Sequence, residues 1–320
     1  MVVEIKNMTK KYGDAIALND VTLSVREGEA FGLLGPNGAG KTTMIRILLN
    51  ILNPTSGIVK VFDTDVTSIG YDEKRKHIGF MLESIGLSNN LTGYQNMEFF
   101  DRVYNERATE SERKERIKSL LTFVGLWEER NKLAGKYSHG MRRRLAMARA
   151  LICDPALIFL DEPTLGLDPE ARMLIRELLF ALKKEKKTIF LTSHDLDEVQ
   201  KVCSNIAILK RGGIVANDSY ENLKKAFSRE RVIIKVKKVG SWLNDLKMVV
   251  KNLEVIDNTL YVDYDGDTDN LFDLLAKNGA RVIEMKKEET GLEEIYLQMV
   301  KSEPQRRSEL IGMARKGMKR

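Results

Sequence analysis

The stretch Phe31-Gly32-Leu33-Leu34-Gly35-Pro36-Asn37-Gly38-Ala39-Gly40-Lys41-Thr42-Thr43 runs directly into residues 44–52, which are apolar except for Arg46 and Asn50. A strand-length apolar run enters a glycine-rich turn, and a helical pattern with Ile45, Leu48, Leu49 and Leu52 on one side leaves it. In that setting backbone N–H groups converge on phosphate oxygens. Gly35, Gly38 and Gly40 give the turn its freedom, and Lys41 reaches the outer phosphates. The Thr42 hydroxyl can ligate Mg2+ while the helix N-terminus faces the anion. The pattern predicts a nucleoside triphosphate site. A chance turn between a strand and a helix would carry the same letters, so the remaining motifs have to decide.

At 320 residues the chain is long enough for two domains with their own cores. Its two cysteines, Cys153 and Cys203, have no CxxC spacing, which suggests neither a disulfide framework nor a cysteine metal site and fits a reducing cytosol. No apolar run approaches the length that spans a bilayer, and no charged start followed by an apolar core marks a signal peptide, so a soluble protein is expected. The formal net charge of +6 is concentrated in residues 301–320, with seven basic and two acidic side chains, and the remainder is nearly neutral. The tail at 303–320 reads as a solvated, disordered end before it reads as a binder of acidic lipid or nucleic acid.

In chain order, Val3-Glu4-Ile5 and Val21-Thr22-Leu23-Ser24-Val25 alternate with period two. Turn signals lie between them at Tyr12-Gly13-Asp14 and Asn19-Asp20, and both read as strands of a small sheet. Tyr12 could stack on a base or pack on the turn as a surface aromatic. Gly57-Ile58-Val59-Lys60-Val61-Phe62 and Ile78-Gly79-Phe80-Met81-Leu82 are further strands, the second ending at Glu83. Over about 84–140 the texture changes to charged helical segments, an inserted helical region whose mixed-sign run at 110–118 reads as a solvated face.

Lys136-Tyr137-Ser138-His139-Gly140-Met141-Arg142-Arg143-Arg144 then leads into Leu145, Ala148, Leu151 and Ile152 at helical spacing. Ser138 is placed as an N-cap, and a Ser-x-Gly turn at a helix start presents N–H groups to an anion. An ordinary capped helix reads the same way, but three arginines beside the positive end of a helix are unfavourable unless an anion sits nearby. Ala156-Leu157-Ile158-Phe159-Leu160 is continuously apolar, as a strand buried on both faces must be. It delivers Asp161 and Glu162 to the edge where open α/β sheets bind ligands. The pair divides into a magnesium partner, Asp161, and a group able to orient and polarise water, Glu162. Asp168-Pro169-Glu170 has the cap, the N1 proline and the first-turn acid of a helix start, so Asp168 has a structural reading of its own. Thr188-Ile189-Phe190-Leu191-Thr192 brings Ser193 and His194 to the same edge, where His194 is either a satisfied structural residue or a γ-phosphate contact.

Assembled in this order, the motifs resemble the nucleotide-binding domain of ABC transporters. Lys11-Tyr12-Gly13, the phosphate loop, the acid at 83, Tyr-Ser-His-Gly-Met, Leu-Asp-Glu-Pro-Thr, Gly-Leu-Asp-Pro and Thr-Ser-His carry the match over roughly residues 1–220. The resemblance implies an α/β P-loop NTPase fold of ABC type with an antiparallel β subdomain and an inserted helical subdomain. It implies ATP and Mg2+ as cofactors, with Tyr12 on the adenine and Gly35, Asn37, Gly38, Gly40, Lys41, Thr42 and Thr43 around the phosphates. Thr42, Glu83 and Asp161 would hold the metal, Glu162 would be the general base, and His194 would contact the γ-phosphate. Ser138 and Gly140 would close on the ATP of a second copy in a head-to-tail dimer, supplying the anion beside the arginine-rich helix, with Asp168 across the interface. Two positions depart from the family pattern. His139 takes the place of the first of two glycines, and Glu83 that of a glutamine, as in the subgroup resembling bacteriocin, lantibiotic and bacitracin exporters.

After Gly212-Gly213 and Ile214-Val215-Ala216, a second unit is expected at 221–302. Strand, helix, two strands around Asp257-Asn258-Thr259, a helix ended by Gly279 and a last strand give the order βαββαβ, a small α+β ferredoxin-like sandwich. Thr290-Gly291-Leu292-Glu293 is a capping-box pattern before a final helix to residue 300. The unit resembles the C-terminal extension of ATPase subunits paired with ABC-2 type permeases, which implies dimer contact or regulation. The whole resemblance implies an ATP-hydrolysing subunit, cytoplasmic and peripheral on the inner face of the membrane. It would drive a separate membrane-spanning permease that exports a drug, peptide or lipid-like substrate. The alternative is a soluble ABC-type ATPase acting on a nucleic-acid or protein assembly, for which only the basic tail speaks; a nucleic-acid partner is not expected.

Overall fold

The computed structural model describes residues 1–82, 86–227, 231–240, 242–264 and 267–287, with Ile295, Tyr296 and Met299. Glu83, the capping-box pattern at 290–293 and the basic tail lie outside the described residues. The chain divides into two compact units, Met1–Tyr220 and Glu221–Arg320.

Among its described residues the first unit contains ten strands: β1 (Val3–Tyr12), β2 (Ala15–Val25), β3 (Ala30–Leu34), β4 (Ser56–Val61), β5 (Thr64–Asp65), β6 (Ile78–Met81), β7 (Leu157–Asp161), β8 (Thr188–Ser193), β9 (Asn205–Lys210) and β10 (Gly213–Ser219). Four of them make an antiparallel sheet in the order β2-β1-β4-β5. β1 and β2 are longer than their alternation predicts, and Asn19-Asp20 is no turn. Asp20 sits inside β2 at φ 51°, its carboxylate accepting from Asn7 Nδ2 at 2.8 Å, where the register with β1 slips. Aspartate tolerates the left-handed region, so the strand absorbs the residue as an irregularity and continues.

The other six strands form a sheet in the order β10-β9-β3-β8-β7-β6, parallel from β9 to β6 with β10 antiparallel at the edge. β3, β7 and β8 are buried at every position, as their continuous apolar runs require. Helix α1 (Lys41–Leu48) follows β3. Its Met44, Ile45 and Leu48 share one core with Ile5, Leu23 and Val25 of the antiparallel sheet and with Phe31, Phe159 and Phe190 of the parallel one. The Phe190 ring lies 5.3 Å from Phe31 and 5.5 Å from Phe159. Each such ring taken out of water stabilises by about 2–3 kcal/mol, which makes these strands a rigid base for whatever their ends carry.

After the short α2 (Tyr71–Arg75), the helical region is built on α3 (Gly93–Tyr104) and α4 (Glu110–Phe123), both opened by capping boxes, Thr92 with Gln95 and Thr109 with Glu112. The expectation of a wholly solvated α4 is corrected at Arg113. This residue is buried, with Nε 2.9 Å from Asp101 Oδ2, and Arg116 Nη1 lies 2.5 Å from Asp101 Oδ1. Asp101 of α3 is fully buried, and a carboxylate there requires counter-charge. Further helices of the unit are α5 (His139–Ala150), α6 (Pro169–Lys184) and α7 (Leu196–Val202), and α8 (Tyr220–Phe227) begins at the boundary and runs into the second unit.

The second unit comprises β11 (Arg231–Val236), α9 (Leu243–Val249), β12 (Asn252–Ile256), β13 (Thr259–Asp263), α10 (Thr268–Lys277) and β14 (Val282–Lys287). Its antiparallel order β12-β13-β11-β14 is the ferredoxin-like arrangement, closed on a core that includes Val232, Ile234, Leu246, Leu260, Val262 and Leu271. Among the described residues no helix is long and apolar enough to cross a membrane.

Candidate nucleotide site

β3 ends at the carboxyl edge of its sheet, and the turn that follows is pinned from behind. Gly35 N–H donates to Ser193 O at 3.3 Å and Gly212 N–H to Ala39 O at 3.1 Å. A Cβ on Gly35 would stand 2.5 Å from Leu209 O, and one on Gly40, at φ 110°, would stand 2.6 Å from Ala17 O. Those distances admit glycine alone, and they place the turn tightly against β2 and β9. Gly40 is also the N-cap of α1 and brings no side chain to its first N–H groups, leaving them for an anion. A cleft of about 400 Å³ opens there, lined by residues 36–43 together with Ala17, Glu162 and Leu165.

The pairing of β7 with β8 sets Asp161 opposite Thr192. Thr192 Oγ1 donates to Asp161 Oδ1 at 2.6 Å, while the buried Oδ2 of Asp161 has no hydrogen-bond partner. Glu162 has φ 49°, held by its N–H, which donates to Thr192 O at 3.1 Å and to Thr192 Oγ1 at 3.2 Å. A left-handed non-glycine costs of order 1–3 kcal/mol and persists only where its surroundings enforce it. Here it turns the Glu162 carboxylate into the cleft. Its Oε1 lies 3.0 Å from Lys41 Nζ and its Oε2 2.8 Å from His194 Nδ1. Lys41 Nζ also donates to Gly35 O at 2.6 Å. An acid, a cation and an imidazole from three elements thus meet at the mouth of a phosphate loop.

Other expected site residues stand apart from this cluster in the single chain. Tyr12, at the end of β1, is about half exposed, with Lys10 Nζ 5.1 Å above its ring, and does not line the cleft. Ser138 caps α5 by accepting from Met141 N–H at 3.2 Å, and Asp168 caps α6 by accepting from Ala171 N–H at 2.8 Å. His139 Nε2 lies 3.2 Å from Leu165 O, and a Cβ on Gly140 would be 3.1 Å from Ala171 Cβ, so the start of α5 packs on the loop before α6. Of the three arginines beside the expected anion, one lies out of solvent and one is already turned to the protein. Arg143 is buried, and Arg144 Nη1 donates to Val124 O at 3.0 Å and Gly125 O at 3.1 Å, the carbonyls left open at the end of α4.

Residues 18–165 match the family described as ABC transporter. The chain is 32% identical over 309 residues to an uncharacterised ABC transporter ATP-binding protein of Synechocystis, covering 94% of this chain and 85% of that one. This chain belongs to the ABC transporter ATP-binding family. Two further ABC relatives carry more specific names. The fluoroquinolones export ATP-binding protein of Mycobacterium tuberculosis is 39% identical, with 76% of this chain and 79% of that one covered. The bacitracin transport ATP-binding protein of Bacillus licheniformis is 31% identical, with 93% and 97% covered. Among solved structures, a dimeric ATP-binding cassette in a post-hydrolysis state, bound to ADP and phosphate, aligns with TM-score 0.63 at 31% identity, over 68% of this chain and 98% of that chain. Like these ABC cassettes, the chain binds and hydrolyses ATP, and the α/β cassette fold expected from its motifs is the fold observed.

Sequence reasoning missed three contributors to the ABC site. Ala17 and Leu165 line the cleft, and Gly212, read only as a break, packs against Ala17 and Ala39 to hold the phosphate loop. The available signal was Gly212-Gly213 itself, a glycine pair at the turn from β9 into β10.

Proposed function

We propose that the chain powers an exporter: two copies close head to tail on two ATP·Mg2+, hydrolyse them, and thereby move a separate membrane-spanning permease. The observation that carries the proposal is the Lys41–Glu162–His194 cluster at the phosphate-loop cleft, because it supplies the groups that hydrolysis of a γ-phosphate needs. The first unit would span 1–220, with its helical subdomain near 84–140, and the second, at 221–302, would serve dimer contact or regulation.

Asp161 fits a cation, since its buried Oδ2 lacks a partner and its Oδ1 is already fixed by Thr192. Asp161 and Thr42, with Glu83, would hold Mg2+, which neutralises charge on the phosphates. Gly35, Asn37, Gly38, Gly40 and Thr43 would cradle the phosphates through backbone and hydroxyl donors. An arriving γ-phosphate competes for Lys41, and its departure from Oε1 leaves Glu162 to accept a proton from the attacking water. His194, about half exposed and hydrogen-bonded to Oε2, orients that carboxylate and can itself reach the γ-phosphate. Tyr12 would stack on the adenine, while Ser138, Gly140 and Asp168 would meet the nucleotide or partner across the dimer.

The printed name of the fluoroquinolones export relative supports export, and the bacitracin transport relative, aligned over 93% of this chain, supports a comparison that extends into the second unit. A permease has a fitting surface in the exposed Phe99, Val103 and Tyr104 of α3, a stripe at helical spacing. Its contact with the permease would hold the chain at the inner membrane face. The test is to capture Glu162→Gln with ATP from native membranes in mild detergent. Co-isolation of a multi-span membrane protein, lost when Phe99→Asp and Val103→Asp are added, is expected. Recovery of soluble assemblies alone would overturn the exporter reading while leaving the ATPase in place.

A further inference from the structure

Arg172, in the first turn of α6, joins two loops that the sequence keeps apart. Its Nε donates to Leu167 O at 3.0 Å, and its Nη1 donates to Asp195 Oδ2 at 3.2 Å. Leu167 precedes Asp168, and the far end of the same loop is met by His139 of α5 through Leu165 O. Asp195 follows His194 and fixes its own position twice over. Its N–H donates to Ser193 Oγ at 2.9 Å, and its Oδ1 accepts from Asp197 N–H at 3.1 Å and Glu198 N–H at 3.3 Å as the cap of α7. A continuous set of contacts therefore runs from the start of α5, through residues 165–168 and Arg172, to Asp195, His194 and Glu162.

We propose that Arg172 is a positioning residue that couples the two nucleotides of the dimer. Engagement of Ser138 by the partner's ATP shifts the start of α5, and loop 165–168 moves with it. The Arg172 fork passes that movement to Asp195, setting His194 and Glu162 over the chain's own ATP. The inference rests on the two-ATP sandwich proposed above. A planar guanidinium suits the task because its donors bind two acceptors in one fixed geometry, and hydrogen-bond and salt-bridge networks of this kind carry coupling between sites. The pair is 40% and 31% exposed at its side chains, so it adds little to fold stability and its loss leaves the fold intact.

The test uses the full chain with Arg172→Met and, separately, Asp195→Asn; asparagine caps a helix as well as aspartate does, so the start of α7 is kept. ATP hydrolysis is followed against ATP concentration, and ATP-driven dimerisation is read by light scattering with Glu162→Gln added to each variant. For two coupled sites the wild-type Hill coefficient should reach about 1.5 or more, falling to about 1 in either variant. ATP affinity should hold within about twofold, and the double variant should behave like the singles, as members of one pathway do. A Hill coefficient of 1 in a wild type that dimerises, or one unchanged by Arg172→Met and Asp195→Asn, overturns the coupling role. Failure of Glu162→Gln alone to dimerise with ATP would instead remove the sandwich, and the coupling with it.

Discussion

Glu162 divides its carboxylate between Lys41 and His194, with Oε1 3.0 Å from Nζ and Oε2 2.8 Å from Nδ1. The two contacts are unequal. Oε1 makes no hydrogen bond despite its closeness to Nζ, whereas Lys41 donates well to Gly35 O, so the lysine contact is the one a phosphate can displace. Glu162→Gln keeps the shape and removes the base. Steady-state phosphate release should fall by about 10²–10⁴-fold, the usual contribution of a positioned general base, with ATP binding retained. A loss below tenfold would exclude Glu162 from that role.

Gly212 is remote in sequence from the phosphate loop but not in space. It has φ 79°, and a Cβ there would stand 2.8 Å from Ala17 O, the same carbonyl that crowds Gly40. Gly212→Ala should cost about 1–3 kcal/mol in stability through the left-handed conformation alone. Because the clash displaces Ala17, ATP affinity should fall as well. Thermal unfolding and ATP titration of the one variant check both halves; lost stability with unaltered affinity would show that the turn does not position the loop.

The parallel sheet could be read from the sequence because β3, β7 and β8 are buried on both faces and leave no polar position to confuse their pattern. Their ends then announced Lys41, Asp161, Glu162 and His194 as neighbours. What could not be read depends on contacts distant in sequence. Gly212 acts through Ala17, Arg113 is buried because Asp101 faces it from another helix, and Arg144 is satisfied by the end of α4. Asn19-Asp20 misled for a local reason, since residues that favour turns also tolerate a strand irregularity. Ser138 and Asp168 announced their capping roles locally, through the residue types that favour a helix start.

Tyr12 projects about half exposed from the end of β1, with Lys10 Nζ 5.1 Å from its ring centroid on one face. Stacking on a base contributes about 1–3 kcal/mol. Tyr12→Ala should therefore weaken ATP binding by about tenfold, which is about 1.4 kcal/mol, whereas Tyr12→Phe should preserve it because the hydroxyl takes no part. Titration with a fluorescent adenine nucleotide distinguishes the variants. Equal affinities for Tyr12→Ala and wild type would return this residue to the surface of the turn.

Glu198, in the first turn of α7, lies buried, accepting from the Thr164 hydroxyl with Oε2, while Arg176 Nη2 is 3.9 Å from its other oxygen. Burial pushes its carboxyl above the usual value near 4.5, only partly offset by the Thr164 hydrogen bond. The folded chain therefore holds this proton to higher pH than the unfolded chain does. The stability that comes from the neutral acid is fully present below pH 4.5 and is lost as pH rises through the elevated folded value. Glu198→Gln keeps an acceptor for Thr164 and carries no charge. Its melting temperature should exceed that of the wild type near neutral pH, with the gap narrowing as pH falls toward 4.5. Melting curves of both proteins across that range give the answer. A gap that stays constant with pH would mean that Glu198 is held charged in the fold by Arg176, and that its burial is paid for by the ion pair.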